Sequence, residues 1–483
     1  MADITIRKAT LINFISKYSN VIIQLIINSI LARLLTPDDF GIVAIVTIFI
    51  NFFTMLSDMG IGPAIIQNKD LNKKEISDIY IFTFFVAGIF SVLFGIFSYP
   101  LSIFYNNKVY IGIGYILSIC IFFNILNIVP NAILLKNKEF KSLGIRTVCI
   151  NCIAGTITIY LSFIGFKYYA LVINSVVISV LTYIFNVYMT KVKMHKDFNI
   201  KTLKKIMSFS TYQLGFNFVN YFSRNLDNLL IGKLLGQSAL GYYDKAYKLM
   251  LYPIQNFTSI ITPVLHPILS DYQDSKEKIY SSYVKIIKVL SLGGVFLSVF
   301  CYIASKEIIL IMFGGNWIRS INSFTILSLS IWLQVVNSIS GSIFQSTGEV
   351  KRLFKVGILN TFMTVIAVIA GILFKEIEYV AVCVLISFIL SVIVSFYYIF
   401  FLTFNKNLKE ICLIFYKDII VYIITFFVAG SIFKYIYIEN IFLSAALKFV
   451  LIIIIFIIAL FVTGQFKDLN VGKIRNIKSK FKV

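Results

Sequence analysis

The chain has 483 residues, of which 59% are hydrophobic and only 14% are charged, and its formal net charge is +22. Soluble domains rarely exceed half apolar, so this composition, with a mean hydropathy of +0.88, excludes a series of soluble domains and predicts a polytopic membrane protein. The cysteines lie in apolar stretches, and the C-x-x-C of Cys149 and Cys152 is interpreted as small apolar filler rather than a redox or zinc site.

A bilayer-spanning helix needs about 20 apolar residues. On that rule the sequence predicts an all-α protein with about fourteen transmembrane helices, joined by short connections. The first span has no small-residue cleavage site after a short apolar core, so it is expected to be retained. In chain order, the predicted spans are residues 11–35, 39–66, 78–104, 109–135, 144–164, 168–190, 208–235, 238–269, 283–304, 320–346, 354–374, 379–404, 416–438 and 441–464.

The distribution of Lys and Arg among the connections predicts the orientation of these helices. Basic residues concentrate at both termini and in alternate loops, such as KVKMHK at 191–196 and KNKEFK at 136–141. By the positive-inside rule, both termini are therefore expected on the cytoplasmic side. A nucleic-acid-binding tail is the rival explanation of the basic C-terminus, but the motif and aromatic context for it is missing, and no nucleic-acid partner is expected.

An internal repeat relates two parts of the chain at an offset of 200 residues. Six predicted spans separate the copies, so both begin on the same side and form parallel repeats, as in transporters built from two similar halves. The sequence thus predicts an N-lobe at 1–200, a C-lobe at 201–404, and two additional helices with a basic tail at 405–483. The aligned pairs are Asn20 with Asn220, Asn28 with Asn228, Arg33 with Lys233, Gly41 with Gly241 and Pro63 with Pro263.

Polar side chains form a stripe along each of four predicted spans. In the seventh span the stripe occupies an arc of about 120° at 100° per residue, and such a face must contact protein or water rather than lipid. The residues are Ser210, Gln213, Asn217, Asn220, Tyr221, Arg224, Asp227 and Asn228 in the seventh span; Asn13, Ser16, Lys17, Asn20, Gln24 and Asn28 in the first; Asp244, Lys248, Tyr252, Gln255, Ser259, Thr262 and His266 in the eighth; and Thr47, Asn51, Thr54 and Asp58 in the second.

These stripes have two interpretations. Asn, Gln and Ser can hold helices together by hydrogen bonds of about 1 kcal/mol or less, and Arg224 and Asp227 could neutralise each other. Ionisable groups within the membrane more often mark a substrate or ion path, which favours a water-filled cationic cavity between the lobes. Pro253, Pro263 and Pro267 would permit bends in the eighth span or be static kinks.

Three segments resemble a known transporter family. They are LARLLTPDDFGIVAIVTIFINFFTMLSDMGIGPAIIQ at 31–67, SRNLDNLLIGKLLGQSALGYYDKAYKLMLYPIQ at 223–255 and FQSTGEVKRLF at 344–354. They resemble polysaccharide repeat-unit flippases, of the O-antigen, capsule and colanic-acid type, in the multidrug/oligosaccharidyl-lipid/polysaccharide exporter superfamily. The resemblance implies that undecaprenyl-diphosphate-linked oligosaccharide moves from the cytoplasmic to the periplasmic leaflet of the bacterial inner membrane by alternating access.

The resemblance also implies a central cavity with basic residues for the diphosphate, because Arg and Lys are strong partners of phosphate groups. Asn, Gln and Tyr suit the sugar, while Asp groups orient the cations. No cofactor is expected; the expected partners are the lipid-linked oligosaccharide, membrane lipids and a polysaccharide polymerase or chain-length regulator. The candidate binding residues are Arg224, Asp227, Lys245, Lys248, Asp244, Arg33, Asn20, Gln24, Asn28, Asn217, Asn220, Asp58 and Gln255.

Three other classes remain open. A multidrug antiporter coupled to protons or sodium would need buried acids, for which Asp58 and Asp227 could serve. A lipid II flippase is closer in mechanism but has a different signature. An oligosaccharide polymerase or ligase usually carries a large periplasmic loop, whereas every predicted outer loop here is short and the common hydrolase, metalloprotease and nucleotide-binding motifs are missing from the sequence.

Overall fold

The computed structural model describes residues 2–58, 60–68, 71–195, 199, 202, 221, 225–270, 275–436 and 438–467, which are helical with short connections and contain no strand. The helices are α1 Ala2–Leu34, α2 Pro37–Asp58, α3 Ile61–Gln67, α4 Lys73–Phe104, α5 Val109–Leu126, α6 Ile128–Lys136, α7 Phe140–Phe163, α8 Tyr168–Thr190, α9 225–234, α10 Gln237–Ser270, α11 Lys276–Ile303, α12 Ser305–Phe313, α13 Ser320–Ser328, α14 Ser330–Asn337, α15 Ser340–Ser346, α16 Val350–Ile372, α17 Ile377–Phe396, α18 Leu408–Tyr435 and α19 Ile441–Val462.

The predicted all-α membrane fold is confirmed. Within the described ranges, ten helices are long and apolar enough to cross a membrane, or eleven if one bent helix pair forms a single span. The predicted total of fourteen stays a prediction, because most of the seventh span at 208–235 lies outside the described residues. α1 and α10 are also long helices, and they carry the polar stripes considered below.

Several predicted spans are interrupted helices. The second span breaks after Asp58, and Gly60 adopts a left-handed conformation with φ of 77°, which glycine takes at little cost. The tenth is divided among α13, α14 and α15, with a bend of 50°. A π-helical segment, Tyr397–Thr403, continues the twelfth beyond α17. By contrast, α10 runs as one helix through its three prolines.

A capping arrangement shows why α2 begins where it does. Thr36 and Asp39 satisfy each other: the Thr36 N–H donates to the Asp39 carboxylate at 2.9 Å, and the Asp39 N–H donates to the Thr36 hydroxyl at 3.3 Å. Pro37 occupies the first helical position, where its missing N–H costs nothing. The second Asp39 oxygen accepts from the Tyr168 N–H at 3.1 Å. The buried Asp39 carboxylate therefore stabilises the N-terminal ends of both α2 and α8.

The chain divides into two compact units. The first comprises Met1–Gly241 with Met312–Asn316, and the second comprises Tyr242–Ile311 with Trp317–Val483. In the first, α1 packs on α7 and α4 on α5, and in the second, α11 packs on α14 and α18, and α18 on α19. The last two helices thus belong to the second compact unit. The lobes at 1–200 and 201–404 and the separate segment at 405–483 stay predictions.

Two turns that lie 210 residues apart in the chain share their local geometry. Lys138 and Gly348 both have positive φ, of 59° and 72°. The next residue in each turn, Glu139 or Glu349, donates its N–H to a carbonyl five residues earlier. α7 and α16 begin at once after these turns. The entries into the predicted fifth and eleventh spans therefore share one turn geometry, and the internal repeat itself stays a prediction.

Candidate functional site

Three of the predicted binding residues lie outside the described residues. They are Arg224, Asn217 and Asn220, so the structure does not place the centre of the seventh-span stripe. The end of that stripe is described. Asp227 on α9 is 5% exposed, and its carboxylate accepts the Asn228 N–H at 2.8 Å. The Asn228 side-chain oxygen is buried without a hydrogen-bond partner in the described part of the chain.

The polar residues of α1 make contacts within and between helices. Asn151 on α7 donates its side-chain amide to the Asn20 oxygen at 2.6 Å. Asn28 donates to the backbone carbonyl of Gln24 at 2.9 Å, and the Gln24 side chain is exposed. The Asn20 contact is the helix-to-helix hydrogen bond that the simpler interpretation of the stripes expects. The role of these three residues in binding a substrate stays a prediction.

The start of α10 holds the predicted charged cluster. Asp244 is 4% exposed and pairs with Lys248 at 2.7 Å, while the Lys248 side chain is 57% exposed. Lys245, next to Asp244, is buried and lies 5.8 Å from the centre of the Trp317 ring, within cation–π range. Gln255, further along α10, is exposed. In this cluster, Lys248 is the cation with accessible surface.

The basic residues Arg33 and Lys233, which the predicted repeat aligns, each have a contact with the C-terminal end of another helix. Arg33 at the end of α1 donates to the carbonyl of Ser29 in its own helix at 2.9 Å, and to the carbonyl of Met312, near the end of α12, at 3.4 Å. Lys233 at the end of α9 donates to the carbonyl of Phe104, the last residue of α4. Each cation therefore meets the partial negative charge at a helix C-terminus. Substrate binding by Arg33 stays a prediction, and this contact is a structural use of its charge.

The repeat glycines pack against each other's helix starts. A methyl group on Gly41 would overlap the Gln237 carbonyl, and one on Gly241 would overlap the Pro37 carbonyl. Since 37 and 237 are also related by the offset of 200, the contact is reciprocal. Ser238 donates to Asp38 at 3.1 Å across it. We name these residues, 37–41 and 237–241, the glycine seam.

Asp58 has a local partner. Its carboxylate accepts the N–H of Gly62 at 3.3 Å and thus caps α3 after the break at Gly60. This contact accounts for an acidic residue at the end of the second-span stripe without a substrate. Its predicted place in the binding site stays a prediction.

One basic residue of the fifth predicted span was missed by the sequence reasoning. Arg146 on α7 donates to the side-chain oxygens of Asn131 at 3.2 Å and Asn186 at 2.7 Å. Asn186 in turn donates to the oxygen of Asn127 at 2.7 Å. The signal in the sequence is an arginine just inside a span with no acidic residue three or four positions away.

Comparisons with known proteins agree with this architecture. The profile of a family described as "Polysaccharide biosynthesis protein" matches residues 30–322. The chain is 22% identical to the lipopolysaccharide biosynthesis protein WzxC of Escherichia coli, over 71% of this chain and 70% of that protein. Its fold is similar to that of the lipid II flippase MurJ in an inward closed conformation, with a TM-score of 0.75, 16% identity, and coverage of 94% and 98% of the two chains.

A second solved structure shares the fold over a shorter length. It is an inward-facing multidrug resistance MATE family transporter of the MOP superfamily, with a TM-score of 0.62 and 16% identity. The match covers 78% of this chain and 93% of that one. At such identities the likeness establishes the fold, which is that of multi-pass membrane transporters.

Proposed function

Because the chain belongs to the polysaccharide biosynthesis protein family, we propose that it is a flippase for lipid-linked oligosaccharides. It moves undecaprenyl-diphosphate-linked repeat units from the cytoplasmic to the periplasmic leaflet of the bacterial inner membrane, by alternating access, for surface polysaccharide synthesis. Both termini lie in the cytoplasm. The observation that carries the proposal is the family match over 30–322, on a fold similar to that of a lipid II flippase.

The chemistry of the candidate residues supports a diphosphate-linked substrate. Lys248 presents an accessible ammonium group beside the buried Asp244, which holds it in place. Lys245 is retained in a buried position next to them, although burial of an ammonium group in a membrane helix is costly. A diphosphate head group would pair with the accessible ammonium group of Lys248, since charge-assisted hydrogen bonds to phosphate are stronger than neutral ones.

The multidrug antiporter is the alternative that the fold alone permits. It would draw its coupling from buried acids, and both Asp58 and Asp227 have local backbone donors in the structure. The family match favours the polysaccharide substrate. Drug susceptibility of a deletion strain separates the two: unchanged susceptibility with lost surface polysaccharide supports the flippase, and the reverse supports the antiporter.

The test of the flippase is complementation of a strain that lacks this protein. We expect Arg224→Ala and Lys248→Ala to reduce surface polysaccharide by at least about tenfold, because a lost phosphate contact of about 1.4 kcal/mol changes binding by that factor. Lipid-linked repeat units should accumulate in the cytoplasmic leaflet. The measurement is polysaccharide on the cell surface at equal protein levels.

A matched control is Lys351→Ala. Lys351 is an exposed lysine at the start of α16 and has no place in the candidate site, so export should stay normal. Full export by both Arg224→Ala and Lys248→Ala would contradict the role of these cations.

A further inference from the structure

Arg146 donates hydrogen bonds to two asparagine side chains and thereby fixes the orientation of their amide groups. Arginine has donors only, so the amide groups of Asn131 and Asn186 must turn their oxygens toward it. The Asn186 nitrogen then faces away from Arg146 and donates to the Asn127 oxygen. The direction of this chain is therefore fixed by arginine chemistry, whichever way an amide is first assigned.

This direction leaves the cluster with unused donors, while each of its side-chain oxygens already accepts a hydrogen bond. The three asparagine oxygens are each occupied by a donor of the cluster. Both bonds of Arg146 come from Nη1, so its Nη2 and Nε remain available among the described residues. The side-chain nitrogens of Asn127 and Asn131 are also unoccupied there. Such a set of N–H groups matches an oxygen-rich anion.

The positive charge of Arg146 also favours binding of an anion. Arg146 forms no ion pair with a described residue, and it is held by neutral amides at the junction of α5, α6, α7 and α8. The exposed Glu139 is bonded instead to Ser142 at 3.2 Å. A guanidinium group that leaves bulk water without a counter-ion is costly, and an anion that binds there removes part of the cost.

The predicted depth of the cluster in the membrane favours a lipid head group as the anion. Arg146 lies six residues after the start of α7, about 9 Å along the helix axis at 1.5 Å per residue. Asn186 is four residues before the end of α8. In the predicted orientation both helix ends are cytoplasmic, so the cluster lies near the level of the head groups of the cytoplasmic leaflet.

We propose that Arg146, Asn127 and Asn131 form a binding site for the diphosphate of a polyprenyl lipid, used before transport. The inference rests on the proposed function, since it assigns a second, cytoplasmic-side subsite to the same substrate. The site lies inside the first compact unit and is distinct from the cluster on α10. The forked guanidinium group suits the two oxygens of a phosphate group.

The test is binding to the purified full-length protein in detergent, followed by native mass spectrometry. The probes are undecaprenyl diphosphate, the uncharged undecaprenol and inorganic pyrophosphate. Wild type should bind undecaprenyl diphosphate in preference to undecaprenol. Arg146→Ala should weaken binding of the diphosphate lipid about tenfold, the effect of losing a bond of about 1.4 kcal/mol to a charged group.

Asn131→Asp is the decisive variant. It supplies Arg146 with a carboxylate, so the fold is expected to keep or gain thermal stability while the added negative charge repels diphosphate. The matched control is Arg352→Ala, which removes an arginine that is already paired with Glu349 at 3.2 Å, and it should bind as wild type does. Undiminished diphosphate binding by both Arg146→Ala and Asn131→Asp would overturn the site.

The three probes distinguish a lipid from a soluble anion as the ligand. They also distinguish failure of this site from failure of the proposed function. Competition by pyrophosphate at the concentration of the lipid would assign the site to a soluble anion and overturn the lipid assignment. If wild type itself does not distinguish undecaprenyl diphosphate from undecaprenol, the proposed function fails. If wild type does distinguish them but the Arg146 and Asn131 variants bind equally well, only the subsite fails.

Discussion

A disulfide across the glycine seam is expected to abolish export. Asp38→Cys and Ser238→Cys together would place two thiols where a hydrogen bond of 3.1 Å now joins the side chains of α2 and α10. The two backbones approach closely where Gly41 meets Gln237 and where Gly241 meets Pro37, so the two cysteines would lie near each other. If export needs these helix starts to separate toward the periplasm, a covalent bond between them blocks the cycle. Oxidation should stop export, and a reductant should restore it.

The reason lies in the reciprocal form of the seam. Each glycine lies under a carbonyl of the other helix start, so no side chain separates the two backbones. In the predicted topology both starts face the periplasm and belong to equivalent helices of the two lobes. Alternating access would move equivalent helices apart at one membrane face, and the seam is a contact between such helices that motion of this kind would break.

The control pair is Ser91→Cys with Ser118→Cys. Ser91 on α4 donates to the Ser118 carbonyl on α5 at 2.7 Å, and both residues lie in the same predicted lobe. A disulfide there should leave export unchanged. Normal export by the oxidised 38–238 variant, with the cross-link confirmed by mass spectrometry, would show that the seam stays closed throughout transport.

Removal of the Lys448 charge is expected to cause a large loss of thermal stability. Lys448 on α19 pairs with Glu307 on α12 at 2.7 Å and also donates to the Ile303 carbonyl at 3.0 Å. Glu307 is 8% exposed, and Ser444 donates to the same oxygen at 2.8 Å. Lys448→Met leaves this carboxylate buried without its cation, which costs about 3–5 kcal/mol. Thermal unfolding of the purified protein measures the loss.

The double variant separates the charge from the packing. Glu307→Gln with Lys448→Met removes both charges and should recover most of the stability, because a neutral amide is far less costly to bury than an unpaired carboxylate. Lys434→Met, at an exposed lysine in the last turn of α18, should change stability by less than about 0.5 kcal/mol. A loss in Lys448→Met no greater than in Lys434→Met would contradict the role assigned to the ion pair.

Interruptions within spans were less accessible to sequence reasoning than the spans themselves. Apolar composition located the helical segments because lipid imposes a minimum length of apolar chain. It did not locate the breaks at Gly60 and Asn127, where a helix of the right composition stops and a short one follows. Those breaks depend on caps and on packing against neighbouring helices, such as the Asp58 carboxylate on the N–H of Gly62.

For the candidate residues too, the sequence located the polar side chains and the tertiary structure decided their contacts. The sequence identified Asn20, Asp227 and Asp244 as polar residues in apolar helices, since such residues stand out by composition alone. Whether an amide faces a cavity or a neighbouring helix depends on contacts between distant segments, as with Asn20 and Asn151, which are 131 residues apart. Arg146 gained significance only when Asn127, Asn131 and Asn186 were placed around it.

By itself, the sequence determined that this is a helical, multi-pass membrane protein, because the apolar composition of a spanning helix is a local property. The internal repeat at a fixed offset and the orientation from charge asymmetry stay predictions. Only the tertiary structure decided what the aligned residues do. The repeat at Gly41 and Gly241 became a reciprocal close contact, and the pair Arg33 and Lys233 became caps of helix C-termini. The physical reason is that packing and hydrogen bonding join residues that are far apart in the chain, which no pattern along the chain records.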